Sequence, residues 1–181
     1  MKIILLGSSH ELQWKDLTGD LRKILELRLT NAEVGLVAEE ASGLPTTVAQ
    51  RLACKYDKPW MNIDMSTADR KLAGIYDGLL QRKREPLGQA DTADYRLLYL
   101  PIEDGIRETE WVSRILRQRV DVVLCLCGFM HLDPFTKKLE EKGCCVEQLR
   151  VTDYVWFQSR YGKYHIVEEK DKRWCEVRHP V

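Results

Sequence analysis

The chain has 181 residues, 44% apolar and 31% charged, a balance that fits one globular domain with a sizeable core, residues 1–181. Lys plus Arg and Asp plus Glu are equal at 28 each, so net charge gives no support to a nucleic-acid binder. No stretch approaches the roughly 18 apolar residues of a membrane span, and the apolar run at Met1–Gly7 is too short for a signal peptide; the expectation is a cytoplasmic chain with no membrane partner.

Lys2 to Leu6 reads as a short strand buried on both faces, stopped by Gly7. Leu17, Leu21, Ile24, Leu25 and Leu29 then recur at helical spacing with charged residues between them. A second buried strand, residues 34–39, runs straight into Glu39-Glu40. The next helix begins near Pro45-Thr46-Thr47, with either threonine a fitting cap. Trp60 to Ile63 forms a third strand ending at Asp64, and a helix is expected from Thr67 to about Arg84. Residues 85–94 hold the one Pro/Gly/Asp-rich linker, short enough to be a loop; residues 95–100 fit either an extended segment or a helix start.

Ile106 to Arg119 is helical in pattern. Asp121 to Cys127 is the strongest buried strand, terminated by Gly128. A short helix at 133–142 and a fifth strand at 144–151 complete the core, residues 1–151. Strand and helix alternating in this way predict an α/β fold, three layers α/β/α around a mainly parallel sheet of about five strands. Residues 152–181 form an aromatic-rich C-terminal extension in which Tyr154, Trp156, Phe157, Tyr161, Tyr164 and Trp174 crowd together, readable as a hairpin around Gly162, an edge strand or a flap. The six cysteines, Cys54, Cys125, Cys127, Cys144, Cys145 and Cys175, show no C-x-x-C pair and read as small buried hydrophobes.

In an open parallel sheet, ligands bind beyond the carboxyl ends of the strands, so the residues ending each strand carry the information. The first ends Gly7-Ser8-Ser9-His10, the second Glu39-Glu40, the third Asp64 and the fourth Gly128-Phe129-Met130-His131. Two Gly-x-x-His motifs with acids between them thus reach one edge of the sheet. Glu39 and Glu40 are sequential on an extended segment, so their side chains should face opposite ways. On the helix from Ile106, Arg107 and Glu108 continue the apolar stripe of Trp111, Val112 and Ile115 by one turn, which brings a charged pair to its buried edge. Arg70, six residues past Asp64, is a further basic candidate, readable also as half of a surface salt bridge. His165 and His179 lie in the polar tail and read as solvated.

Together, Gly7-x-x-His10, Glu39-Glu40, Asp64 with Arg70, Arg107-Glu108-x-x-Trp111 and Gly128-x-x-His131 resemble the TraB/TIKI-like group of the erythromycin esterase/ChaN-like superfamily. The resemblance covers roughly residues 1–151 and is strongest to small bacterial members that carry the Glu-Glu pair. It implies a hydrolase of peptide, amide or ester bonds using activated water. In TIKI-like members the chemistry is metal-dependent, which implies a divalent ion (Zn, Mn or Co) on His10, Glu40 and His131. In esterase-like members histidine and glutamate activate water without metal. Carried onto this chain, the catalytic set is His10, Glu39, Glu40, His131 and Arg107, with Asp64, Arg70 and Glu108 binding substrate. The expected partner is a small-molecule or peptide substrate, and a homo-oligomer stays open.

Two other classes compete. Some TraB-like members act by sequestering a peptide and ChaN-like members bind haem, which implies a non-catalytic binding or regulatory protein holding a small molecule or peptide. Ser8-Ser9 at a helix start could cradle a phosphate, although neither G-x-G-x-x-G nor a Walker lysine is present. Cys127 beside Gly128 could act as a nucleophile or lie buried in its strand.

Overall fold

The computed structural model describes residues 1–31, 33–41, 46–75, 100–161, 163–169 and 172–178. Five strands, β1 (Lys2–Ser8), β2 (Leu36–Glu39), β3 (Trp60–Asn62), β4 (Val122–Gly128) and β5 (Cys145–Arg150), form one all-parallel sheet in the order β3-β2-β4-β1-β5. Alternate residues of each strand serve opposite faces, which is why the runs are apolar throughout rather than alternating. Ile4, Leu6, Val37, Leu124 and Leu126 pack on one side against α2 (Asp20–Asn31), α3 (Val48–Lys55) and α7 (Val155–Tyr161). Ile3, Leu5, Leu36, Ala38, Val123, Cys125 and Cys127 pack on the other, against α5 (Leu100–Leu116) and α6 (Leu132–Glu141). The three-layer α/β/α arrangement is the one the strand-helix alternation predicts.

Local chemistry moves several boundaries. A helix through Leu17 is not formed: Leu17 is 91% exposed in a turn with Gly19 at φ 70°. The helix α2 starts at Asp20, and the Asp16 carboxylate accepts the Arg22 N–H at 2.7 Å, an N-terminal cap that spacing alone hides. A short helix, α1 (His10–Lys15), precedes it, begun by Ser9, whose hydroxyl accepts the Leu12 N–H. Thr47 caps α3 through Gln50 N–H. The helix from Thr67, α4, ends at Leu72 rather than near Arg84, because the chain turns through Gly74 at φ 74°; residues 76–84 and the loop at 85–94 lie outside the described residues.

The aromatic extension divides in two. Phe157 is buried beneath the sheet with Tyr154 and Trp156 packed beside it, so these three are packing residues. Beyond them β6 (Lys163–Glu169) and β7 (Lys172–Arg178) pair antiparallel. They form a hairpin-like pair with Glu169 opposite Lys172, and Gly162 falls outside the described residues. Among the described residues no helix is long and apolar enough to cross a membrane.

Candidate active site

Strands β2, β4 and β1 are neighbours, so the residues that follow them meet at one edge of the sheet. The chain leaves β1 toward β2 and leaves β4 toward β5, in opposite directions across the sheet, which opens a crevice at their carboxyl ends. Gly128 marks its floor. A Cβ on Gly128 would stand 3.4 Å from Glu40 Oε2, 3.4 Å from His10 Nε2 and 3.4 Å from His131 Cδ2. The two histidines and the glutamate therefore surround one point that the absent side chain leaves open. The backbone of Gly128 has φ −57° and ψ 138°, so conformation does not call for glycine there, and a methyl would occupy the open point at ordinary contact distance. Gly7 has a different reason: its Cβ would press on Phe129 Cα at 3.3 Å and Leu132 Cδ2 at 3.2 Å, where the turn carrying His131 crosses β1.

Glu39 and Glu40 do face opposite ways. Glu39 turns toward α3 and β3, where its Oε2 accepts from the Thr47 hydroxyl at 2.5 Å and the Trp60 indole N–H at 3.0 Å. Burial pushes its carboxyl up to about 7, against the pull of those two donors, and Oε1 has no partner among the described residues. Glu40 turns into the crevice. Its Oε2 accepts the Gly128 N–H at 2.8 Å and its Oε1 accepts from Arg107, with His131 Nε2 3.6 Å and His10 Nε2 3.8 Å away.

Each histidine is aimed by its other nitrogen. His131 is buried, with Nδ1 3.0 Å from Glu108 Oε1 and its ring edge-on to Trp111 at 4.9 Å. His10 is half-exposed, with Nδ1 2.9 Å from Gln13 Oε1. Both partners are acceptors, which assigns the Nδ1–H tautomer and leaves each Nε2 facing Glu40. Burial alone would lower the His131 pKa. The hydrogen bond to Glu108 and the charges of Glu40 and Asp104 outweigh it and hold the imidazole above its usual 6.5.

Helix α5 supplies the charges. Asp104, Arg107, Glu108 and Trp111 recur at three- and four-residue spacing on one face. Arg107 donates to Glu40, to both oxygens of Asp64 at 3.1 Å, and to Asp104 at 3.1 Å. Four of the five guanidinium N–H groups are thereby engaged, and among the described residues the fifth, on Nη1, has no partner and is open to an anionic oxygen. Burial opposes this cation, but the three carboxylates dominate and hold it protonated. Asp64 also accepts from Arg70 at 2.5 Å, from the Trp111 indole at 3.1 Å and from the Met65 N–H at 2.8 Å. Burial pushes its carboxyl up, and the two arginines with these bonds bring it below the usual range.

The structure thus gathers His10, Glu40, His131 and Arg107 and sets the other candidates one layer back. Asp64 holds Arg107 and is itself held by Arg70, Glu108 holds His131, and Glu39 lies on the opposite face of β2 from Glu40. Asp104 and Gln13 enter the site without having been singled out by sequence. The spacing of Asp104 to Arg107 and Glu108 was the available signal for the first; a buried glutamine three residues after a histidine gives none. Ser8 bonds to the Ser9 carbonyl, and α1 already has its own cap, so the turn after β1 is not arranged as a phosphate cradle. Cys127 is fully buried and burial pushes its thiol well up, which leaves it inert.

A metal on His10, Glu40 and His131 would need Glu40 as a ligand, yet both of its oxygens carry N–H donors and a guanidinium stands beside them. Among the described residues no group of three or more His, Cys, Asp or Glu side chains is placed to hold an ion. The donor set in this arrangement is balanced by Arg107 and does not fit a metal. Protein-family models, curated proteins and solved structures were compared with the chain, and none matches.

Proposed function

We propose that the protein is a hydrolase in which His131, with Glu108 behind it, activates a water molecule over Gly128. The observation that carries this reading is the open point beside Gly128 on which Glu40, His10 Nε2 and His131 converge. Gaps of 3.6 and 3.8 Å between the imidazole nitrogens and a Glu40 oxygen are too long for direct hydrogen bonds, which leaves each Nε2 to bond a water over Gly128. His131 Nε2 takes a proton from that water as its oxygen attacks a carbonyl carbon. Glu108 stabilises the imidazolium that forms, as the carboxylate does in a Ser-His-Asp triad. Glu40 and His10 orient the water, and the remaining Arg107 N–H stabilises the oxyanion.

The test is hydrolysis of the p-nitrophenyl ester and the p-nitroanilide of one N-blocked alanine, with EDTA and with added Zn²⁺, Mn²⁺ or Co²⁺ as separate arms. Gly128→Ala is the diagnostic variant. Its methyl would meet every neighbour at ordinary contact distance, so the fold should survive while the water's place is filled. Wild-type turnover that falls at least about 100-fold in Gly128→Ala, with unchanged circular dichroism, is expected. Equal turnover in the two proteins refutes the water site; a wild type that hydrolyses neither substrate in any arm refutes the hydrolase, and the non-catalytic reading, sequestration of a small molecule or peptide, then takes first place.

A further inference from the structure

Asp104 differs from the other carboxylates around His131. Its side chain is 22% exposed, whereas those of Glu40, Asp64 and Glu108 are exposed by 3%, 2% and 3%. The buried three are consumed by partners within the protein. Asp104 makes its site contacts through Oδ1 alone, at 3.1 Å from Arg107 Nη1 and 3.9 Å from His131 Nε2. It therefore lies where the crevice meets solvent, beside the nitrogen that handles the proton.

The next step rests on the hydrolase reading. Water attack forms the new C–O bond and moves one proton to His131 Nε2. Collapse of the tetrahedral intermediate breaks the bond to the leaving atom, which receives that same proton. To receive it, the leaving atom must come within about 2.6–3.2 Å of Nε2. That position borders Asp104. A leaving nitrogen carries an N–H and gains positive charge as it is protonated, and a carboxylate accepts the first and stabilises the second. A leaving ester oxygen carries no hydrogen and develops negative charge, which a carboxylate repels.

We infer that Asp104 determines specificity, selecting amide over ester substrates by accepting the N–H of the departing amine. The electron pair of the broken bond leaves with nitrogen, the proton comes from water by way of His131, and no oxidant or further reactant is needed.

The experiment compares kcat/KM for the p-nitroanilide and the p-nitrophenyl ester sharing one acyl group, in wild type, Asp104→Asn and Asp104→Glu. Asn keeps an oxygen for Arg107, so a purely structural role predicts equal changes on both substrates. The expected result is an amide-to-ester ratio reduced about tenfold or more in Asp104→Asn, and partly restored in Asp104→Glu. Equal losses on both substrates overturn the inference and leave the hydrolase reading standing. So does a wild type that turns over the ester and not the anilide. A wild type that hydrolyses neither overturns both.

Discussion

The two Gly-x-x-His arms begin alike, as a strand, a glycine and a turn, and end in opposite surroundings. His131 is buried and gripped by a carboxylate from α5, whereas His10 is half-exposed and gripped by an amide from its own short helix. A carboxylate both fixes the ring and stabilises its positive charge; a glutamine oxygen does only the first. In the proposed hydrolysis, this difference assigns proton transfer to His131 and placement of water to His10. Glu108, read from sequence as a substrate contact, is what makes the two arms unequal.

The largest effect should come from breaking the stronger arm. His131→Ala is expected to lower kcat by about 1,000-fold, and His10→Ala by about tenfold, in steady-state assays with a circular dichroism control. The double variant should cost little more than His131→Ala alone, because residues acting as one unit are not additive. Equal losses for the two single variants would erase the asymmetry.

A smaller and more specific effect follows from Glu108→Gln. The base must be neutral, so the rate should rise with pH as His131 loses its proton, at a pH above the ordinary 6.5. Gln keeps an acceptor for Nδ1–H but removes the charge from the bond that raises this pKa most, so the acid limb should move to lower pH while the plateau rate falls about 10- to 100-fold. Stability responds with the sign of a raised histidine: the contribution is fully present below the unfolded-state pKa and is lost as pH rises through the folded one. Glu108→Gln should therefore destabilise the protein most at acid pH. An unmoved acid limb would assign the titration to another group.

Much of this is legible in sequence where one principle decides. Continuous apolar runs ending at glycine or an acid gave the strands and their order of chemistry, and extended geometry sent Glu39 and Glu40 to opposite faces. The one-turn continuation of the Trp111 stripe placed Arg107 and Glu108. What stayed hidden depends on partners brought by the fold. Gln13 and Asp104 look like solvent-facing helix residues until β4 and α5 are in place. Leu17 fits a helical stripe until Gly19 and the Asp16 cap end it. Glu39 lies away from the crevice for a related reason: its face of β2 is closed by Thr47 and Trp60, which sequence distance does not reveal.

The comparison of Glu39 with Glu40 gives the smallest expected effect on rate and a clear one on stability. Glu39 is fully buried, with two donors on one oxygen and, among the described residues, no cation bonded to it, and its carboxyl stands at about 7 against an ordinary 4.5. A folded-state pKa above the unfolded one means that ionisation opposes folding. The penalty is absent below about 4.5, grows as pH rises toward 7 and is constant above, reaching on the order of 3 kcal/mol. Glu39→Gln keeps an oxygen for Thr47 and Trp60 and removes the charge. Its stability relative to wild type, from urea unfolding, should thus improve progressively between pH 4.5 and 7 and then level off. The amide places an N–H₂ where Oε1 has no described partner, which lowers the variant at every pH and leaves the slope intact. Turnover should change by less than about threefold, since the charge sits across β2 from the water site. A variant whose stability tracks wild type at every pH would show that Glu39 stays ionised and is compensated; one that loses turnover with Glu40 untouched would return Glu39 to the mechanism.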